Sequence, residues 1–293
     1  MKLLPQIPAD KYGDFEFNYE FLQTVDEIGD EELDDSNNFH CYWKGLALDV
    51  HVVCIKSLLA TQPEANVHIW VDDFSQFRKS EYFEELDELE VAIIEVKQPI
   101  FEFAGVPQMY NTYRQLINAW TPTLTEYNHK VAYASDIFRF VVLKAYGGVW
   151  FDMDMIFLKD LRKIKLKRFV YKWGVQEYGN GALMRLERDN DILHRVLHLN
   201  LSKPFYPTST FDKKNNLDIW MLPTEFFDVI WKYKKYDGNK IKLPIKNFDD
   251  LFKPTKEDID LNFLPGCFTY HWHNHWSDGL PKNSPIERIY RKL

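Results

Sequence analysis

Apolar positions along the chain switch repeatedly between a period of two and a period near 3.6. Phe39-His-Cys-Tyr-Trp43, Val67-His-Ile-Trp-Val71 and Val91-Ala-Ile-Ile-Glu-Val96 are short runs rich in β-branched and aromatic residues, closed by polar or glycine positions, and they read as buried strands. Between them, Asp49 stands where it could cap a helix to about Ala60, and a short acidic helix is predicted over 79–89. Over 130–146, Val131, Ala134, Ile137, Phe138, Val141, Val142 and Ala145 recur at helical spacing until Gly147-Gly148 ends the helix. Further strands are expected at 168–173 and 182–186, and further helices over 190–200 and 224–234. Strands alternating with helices predict an α/β fold around a mostly parallel sheet.

Residues 26–38 are acidic and poor in apolar side chains, so 1–38 is expected to be a partly looped N-terminal extension and 39–293 a single domain. With 45% hydrophobic and 27% charged positions, the 293 residues can bury a sizeable core. A formal charge of -8 argues against nucleic acid as a general partner, because phosphate binding draws on Lys and Arg. Cys41, Cys54 and Cys267 are widely spaced and form no CxxC pair, which indicates neither a disulfide framework nor a thiolate zinc site. No signal peptide and no transmembrane segment is legible, so a cytoplasmic location is expected.

The candidate chemistry begins at Asp152 and Asp154. If extended, they share one strand face and can reach one small target, and paired hard oxygens suit Mn2+ or Mg2+ on a diphosphate. The bland reading is a solvated strand end. Asp136 and Arg139, three apart on the preceding helix, share a face, either as a surface ion pair or as groups turned toward the carboxylates. Tyr270-His-Trp-His-Asn-His-Trp276 holds three histidines that could serve as metal ligands, proton-transfer groups or stacked surface side chains. No HExxH spacing accompanies them.

The ordered stretch Ala134-Ser-Asp136-Ile-Phe-Arg139, then Leu143-Lys-Ala-Tyr-Gly147-Gly148-Val-Trp-Phe-Asp152-Met-Asp154-Met155, resembles the sugar-binding region of Asp-x-Asp glycosyltransferases. These include the family 32 transferases of capsule and Golgi mannan synthesis and the glucosylating domains of large clostridial toxins. Trp43-Lys-Gly45 is similar to the family's W-x-G, Asn180-Gly-Ala-Leu-Met184 to its segment beside donor sugar and acceptor, and His271-Trp-His-Asn-His275-Trp276 to its H-x-x-x-S-W, with His275 replacing Ser.

The resemblance implies a GT-A-type α/β fold, with 39–160 as the nucleotide-sugar half and 161–293 as the acceptor half carrying a C-terminal metal and donor loop. It implies Asp152 and Asp154 as ligands of Mn2+ (or Mg2+), completed by His271 and His273. Trp43, Gly45, Asp136, Arg139, Gly148, Asp152, Asn180 and Trp276 would line the donor, and Asp152, Asp154 and Arg139 would act in catalysis. The expected partners are a UDP- or GDP-sugar and a glycan or other small hydroxyl acceptor, and known relatives imply retention. An inverting enzyme would draw its base from Glu177, Asp218, Glu225 or Asp278. A non-catalytic carbohydrate-binding protein with a structural cation is the alternative from another class. A hydrolase fits poorly, because its two carboxylates flank a bond. A phosphoryl transferase would carry a GxxxxGK[ST] loop, which is absent.

Overall fold

The computed structural model describes residues 2–3, 37–118, 129–161, 164, 168–173, 178–188, 190–199, 211–212, 215, 217–232, 245, 247–256, 259, 264, 267–273 and 279–293. In chain order these form β1 (Lys2–Leu3), β2 (Asn38–Trp43), α1 (Asp49–Thr61), β3 (Asn66–Val71), α2 (Phe74–Phe77), α3 (Phe83–Glu88), β4 (Ala92–Glu95), α4 (Gln98–Phe103), α5 (Gln108–Asn118), α6 (His129–Tyr146), β5 (Gly148–Phe151) and β6 (Met155–Phe157). The later part supplies β7 (Phe169–Lys172), β8 (Gly179–Leu186), α7 (Asp191–Leu199), β9 (Trp220–Leu222), α8 (Val229–Lys232), β10 (Thr269–His271) and α9 (Pro285–Lys292), with 3-10 turns at Thr224–Phe226 and Asp250–Phe252.

Eight strands build the main sheet in the order β1-β9-β7-β8-β5-β2-β3-β4. All neighbours are parallel except β8, which runs against both β7 and β5. The α/β class expected from the sequence, with a mostly parallel sheet flanked by helices, is the one observed. From β2 the chain steps outward through β3 to β4, then returns through α6 to place β5 on the other side of β2. The direction of winding therefore reverses between β2 and β5, and in open α/β sheets ligands bind beyond the carboxyl ends of strands at such a point.

Alternation along the strands sorts side chains between two apolar layers. Phe39, Cys41, Val149 and Phe151 pack with Val50, Val53 and Leu58 of α1, whereas Tyr42 and Trp150 pack with Phe138, Val141 and Val142 of α6. This parity has a chemical consequence, because Asp152 continues the Trp150 side and so faces α6.

Several local expectations are corrected. Leu48, not Asp49, occupies the cap position of α1, and the Asp49 carboxylate instead accepts the Val50 N–H at 2.8 Å and the distant Leu280 N–H at 2.7 Å. The acidic helix is confined to Phe83–Glu88. The helix expected over 224–234 is split, because the Phe226 carbonyl accepts the Phe268 N–H at 2.7 Å instead of bonding along a helix. Residues 2–3 of the N-terminal stretch form the edge strand beside Trp220 and Met221. The three cysteine thiols are free and buried. Among the described residues, no helix is long and apolar enough to cross a membrane.

Candidate active site

Trp43, Gly45, Asp152 and Asp154 lie at or just beyond the carboxyl ends of β2 and β5. Phe151 ends β5, and Asp152 to Asp154 form a bend before β6, so the strand-face geometry expected for the pair is corrected. The bend is held on both sides: the Asp152 N–H donates to Ala182 O on β8 at 2.8 Å, and the Trp272 N–H donates to Asp154 O at 3.0 Å. The two carboxylates therefore turn to different partners.

Asp152 Oδ1 accepts from Trp150 Nε1 at 2.8 Å and lies 3.4 Å from Arg139 Nη2. The same guanidinium nitrogen is 2.8 Å from Asp136 Oδ1, and the Arg139 head lies 5.3 Å from the centre of the Trp150 ring. With only 6% of its side chain exposed, Arg139 is not half of a surface pair. It joins α6 to the carboxylate bend. Burial raises the Asp136 carboxyl to about 6 despite Arg139. Burial also raises Asp152, with Arg139 opposing and the Asp154 charge adding to the rise.

Asp154 faces the ribbon formed by β6 and β10, in which His271 is registered with Met155. His271 Nε2 stands 3.1 Å from Asp154 Oδ1, and both residues are buried. That oxygen has no aligned hydrogen-bond donor, so the approach is one of charge. Burial opposes ionisation of both partners, yet the His271 imidazole holds Asp154 below its ordinary range, and Asp154 holds His271 up near 9. On its other edge, His271 Nδ1 meets Tyr171 Oη at 3.1 Å and lies 3.9 Å from Asp228 Oδ2. Asp228 in turn binds His273 Nε2 at 2.7 Å, and the two imidazoles stack with centroids 3.7 Å apart.

Asp228, His271 and His273 present ligand atoms within 4.8 Å of one another. The donor set fits a divalent cation: hard carboxylate oxygens, one of them a buried unpartnered atom of Asp154, stand with an imidazole nitrogen.

Asn180 is buried and placed beside this group, its Nδ2 donating to Tyr171 Oη at 2.7 Å. Trp43 and Gly45 sit at the carboxyl end of β2. The Trp43 ring packs on His51 with centroids 3.9 Å apart, its Nε1 donates to Leu46 O at 2.9 Å, and Gly45 takes φ +100. Lys44 and Asp72 form an ion pair beside them, at the ends of β2 and β3.

Gly148 is not brought to the group. It begins β5, four residues before Asp152, where a Cβ would lie 2.3 Å from Asn38 O, so its smallness serves strand packing. Trp276 and His275, like Glu177 and Asp278, lie outside the described residues. Asp218 precedes β9 at the sheet's opposite end, 72% exposed and paired with Arg168, whereas Glu225 is buried just beyond the carboxyl end of β9. Tyr171 and Asp228 were missed by sequence reasoning: they carry no motif, and their partners are 100 and 45 residues away.

A mostly parallel α/β sheet with paired carboxylates at its winding reversal defines an open α/β fold of the kind that binds ligands at that point. Residues 49–177 match the family model described as "Glycosyltransferase sugar-binding region containing DXD motif", and Asp152-Met153-Asp154 lies within the matched residues. Toxin B of Clostridioides difficile is 28% identical over 130 residues, which cover 38% of this chain and 5% of that protein. The chain thus spans a small fraction of the length of that relative. Among solved structures, the PaToxG glycosyltransferase is 22% identical at a TM-score of 0.47, covering 60% of this chain and 67% of its own. An active-site mutant of LgtC is 11% identical at a TM-score of 0.46, covering 87% of this chain and 94% of its own.

Proposed function

We propose that the protein is a divalent-cation-dependent glycosyltransferase that moves a sugar from a UDP- or GDP-sugar to a hydroxyl of a glycan or other acceptor, with retention. The observation that carries this reading is the buried Arg139 guanidinium bridging Asp136 and Asp152, next to an Asp154 oxygen that faces His271 without a hydrogen bond. A guanidinium so placed can hold phosphate or sugar oxygens while its own charge is already oriented by two carboxylates.

In this reading Asp154 and His271 hold Mn2+ or Mg2+, with Asp152 completing the shell through its outer oxygen and His273 standing behind. When bound, the cation supplies positive charge to the donor diphosphate as it leaves. Arg139 stabilises the same developing negative charge from the α6 side. Asp136 accepts hydrogen bonds from donor-sugar hydroxyls, and Asn180 borders the place where sugar and acceptor meet. Trp43 and Gly45 receive the base at the end of β2, with Trp276 assigned to the donor as well. The acceptor hydroxyl forms its bond to the anomeric carbon on the face from which the diphosphate departs, and its proton passes to a departing phosphate oxygen.

Thermal-shift measurement of the full chain against UDP- and GDP-sugars, with and without Mn2+, tests the reading. A cation-dependent stabilisation by one nucleotide sugar, lost in Asp154→Ala, is expected. Absence of any nucleotide-sugar shift with every divalent metal overturns it. An inverted anomeric product, read by NMR, overturns retention alone.

A further inference from the structure

Two strands of the main sheet carry a polar chain that ends on the His271 imidazole. Tyr171 on β7 and Asn180 on β8 are registered neighbours, next to an irregularity in the ladder between Val170 and Tyr171. Asn180 Oδ1 accepts the Ala182 N–H at 2.9 Å, which fixes the amide so that Nδ2 points at Tyr171 Oη, 2.7 Å away. The same hydroxyl lies 3.1 Å from His271 Nδ1. Ala182 also receives the Asp152 N–H on its carbonyl, so this chain and the carboxylate bend share one anchor.

We infer that Tyr171, set by Asn180, is a positioning residue for His271: it holds Nδ1 and so turns Nε2 toward Asp154. A hydroxyl suits this task because it accepts from a protonated Nδ1 and donates to a bare one, which lets a single contact serve the imidazole whichever nitrogen carries the proton. Groups hydrogen-bonded to the far nitrogen of a metal-binding histidine fix its orientation, and their loss costs roughly 10–100-fold in metal affinity. Asp228, 3.9 Å from Nδ1 and tied to His273, adds negative charge on the same side. Asp228, His271 and His273 could together hold a cation on Nδ1 instead. One imidazole nitrogen cannot serve both Tyr171 and a metal, so the two arrangements exclude each other.

The inference rests on the cation being held at Asp154 and His271, and the test separates the two. Mn2+ binding to the full chain, without donor, is followed by loss of the free-ion EPR signal in Tyr171→Phe, Asn180→Ala, His271→Ala, Asp228→Ala, Asp154→Ala and the double variant Tyr171→Phe/His271→Ala, with thermal stability measured in EDTA. Expected are a 10–100-fold loss for Tyr171→Phe at nearly unchanged metal-free stability, a similar loss for Asn180→Ala, and no further loss when Tyr171→Phe is added to His271→Ala. That lack of additivity is what a merely structural tyrosine would not produce. Wild-type affinity in Tyr171→Phe and Asn180→Ala, with Asp154→Ala abolishing binding, overturns the positioning role and leaves the cation reading intact. Binding that survives Asp154→Ala but is lost in Asp228→Ala places the cation on Nδ1 and overturns both.

Discussion

Arg139 Nη2 lies 3.4 Å from Asp152 Oδ1, joining the middle of α6 to the bend after β5. The contact exists because strand parity turns Asp152 to the α6 side and because the Trp150 indole between them binds the same carboxylate oxygen. Charge alone does not explain it.

Replacing Arg139 with lysine is therefore expected to keep the charge and lose the function. An ammonium lacks the planar guanidinium that lies against the Trp150 ring, places Nη2 by both Asp136 and Asp152 and keeps its other N–H groups for a ligand. Donor turnover should fall on the order of 100-fold or more, as for other positioned electrostatic groups. Arg139→Ala should in addition destabilise the fold by roughly 1.5–3 kcal/mol, since two part-buried carboxylates lose a charged hydrogen-bonding partner. Steady-state kinetics and urea unfolding read the two effects. Equal activity of the lysine variant would show that only charge matters there.

Gly148→Ala is expected to damage folding and leave donor chemistry untouched in whatever folds. Its φ is +97, and an added Cβ would meet backbone atoms of Asn38 at 2.3 Å, which no rotamer can relieve. A left-handed conformation alone costs about 1–2 kcal/mol for a residue with a side chain, and the collision adds to it. Soluble yield and urea midpoint should drop sharply. A variant of wild-type stability that no longer binds nucleotide sugar would instead put Gly148 in the donor site.

The region from Asp136 to Asp154 was legible because its polar groups are close in sequence, but periodicity left Asp136 and Arg139 open between a surface pair and groups turned to the carboxylates, and it was the family resemblance that favoured the second. Strands β2, β3, β4 and β7 were legible from their own short apolar runs. The helices α4 and α5 were not read, although Met109, Tyr113 and Ile117 recur every four residues and all are buried. Gly105 and Pro107 break the pattern between them, and the α5 surface is otherwise polar. Tyr171 and Asp228 lay beyond reach for a different reason: nothing within ten residues of either announces histidines that arrive from β10. The sequence resemblance favoured Gly148 for the donor, where the backbone gives it a steric task.

Stability should fall below pH 6.5 through His40 and His51. Both imidazoles are buried and held near pKa 3, in each case first by burial, with His68 adding to the effect on His40. His40 Nε2 contacts Gly147 O at 3.1 Å while Nδ1 accepts from Trp70, and His51 Nδ1 accepts the Leu48 N–H. A depressed folded-state pKa means that the unfolded chain binds the extra proton first. The contribution is thus complete above about 6.5 and is lost as pH falls toward 3. Between pH 6.5 and 5 the two together should remove about 3 kcal/mol. Asp136, raised to about 6 in the fold, works in the opposite sense over the same range, so urea unfolding reads the share of His40 as the difference between wild type and His40→Asn, which should be less stable at neutral pH and lose stability less steeply. An unchanged slope would mean that His40 does not remain neutral in the fold.

Trp43→Ala is expected to weaken donor binding far more than turnover. The indole stands at the carboxyl end of β2, with one edge on His51 and Nε1 bound to Leu46 O, so the ring is fixed before any ligand arrives. A base stacked on a fixed aromatic ring gains about 1–3 kcal/mol, which corresponds to a rise of roughly 5- to 150-fold in KM for the nucleotide sugar. In the proposed reading the reacting bond lies at the other end of the donor, beside Arg139 and Asp154, so kcat should change by only a few-fold. Trp43→Phe keeps a stacking face and should recover most of the affinity. A fall in kcat at unchanged KM would place Trp43 with the reacting groups rather than with the base.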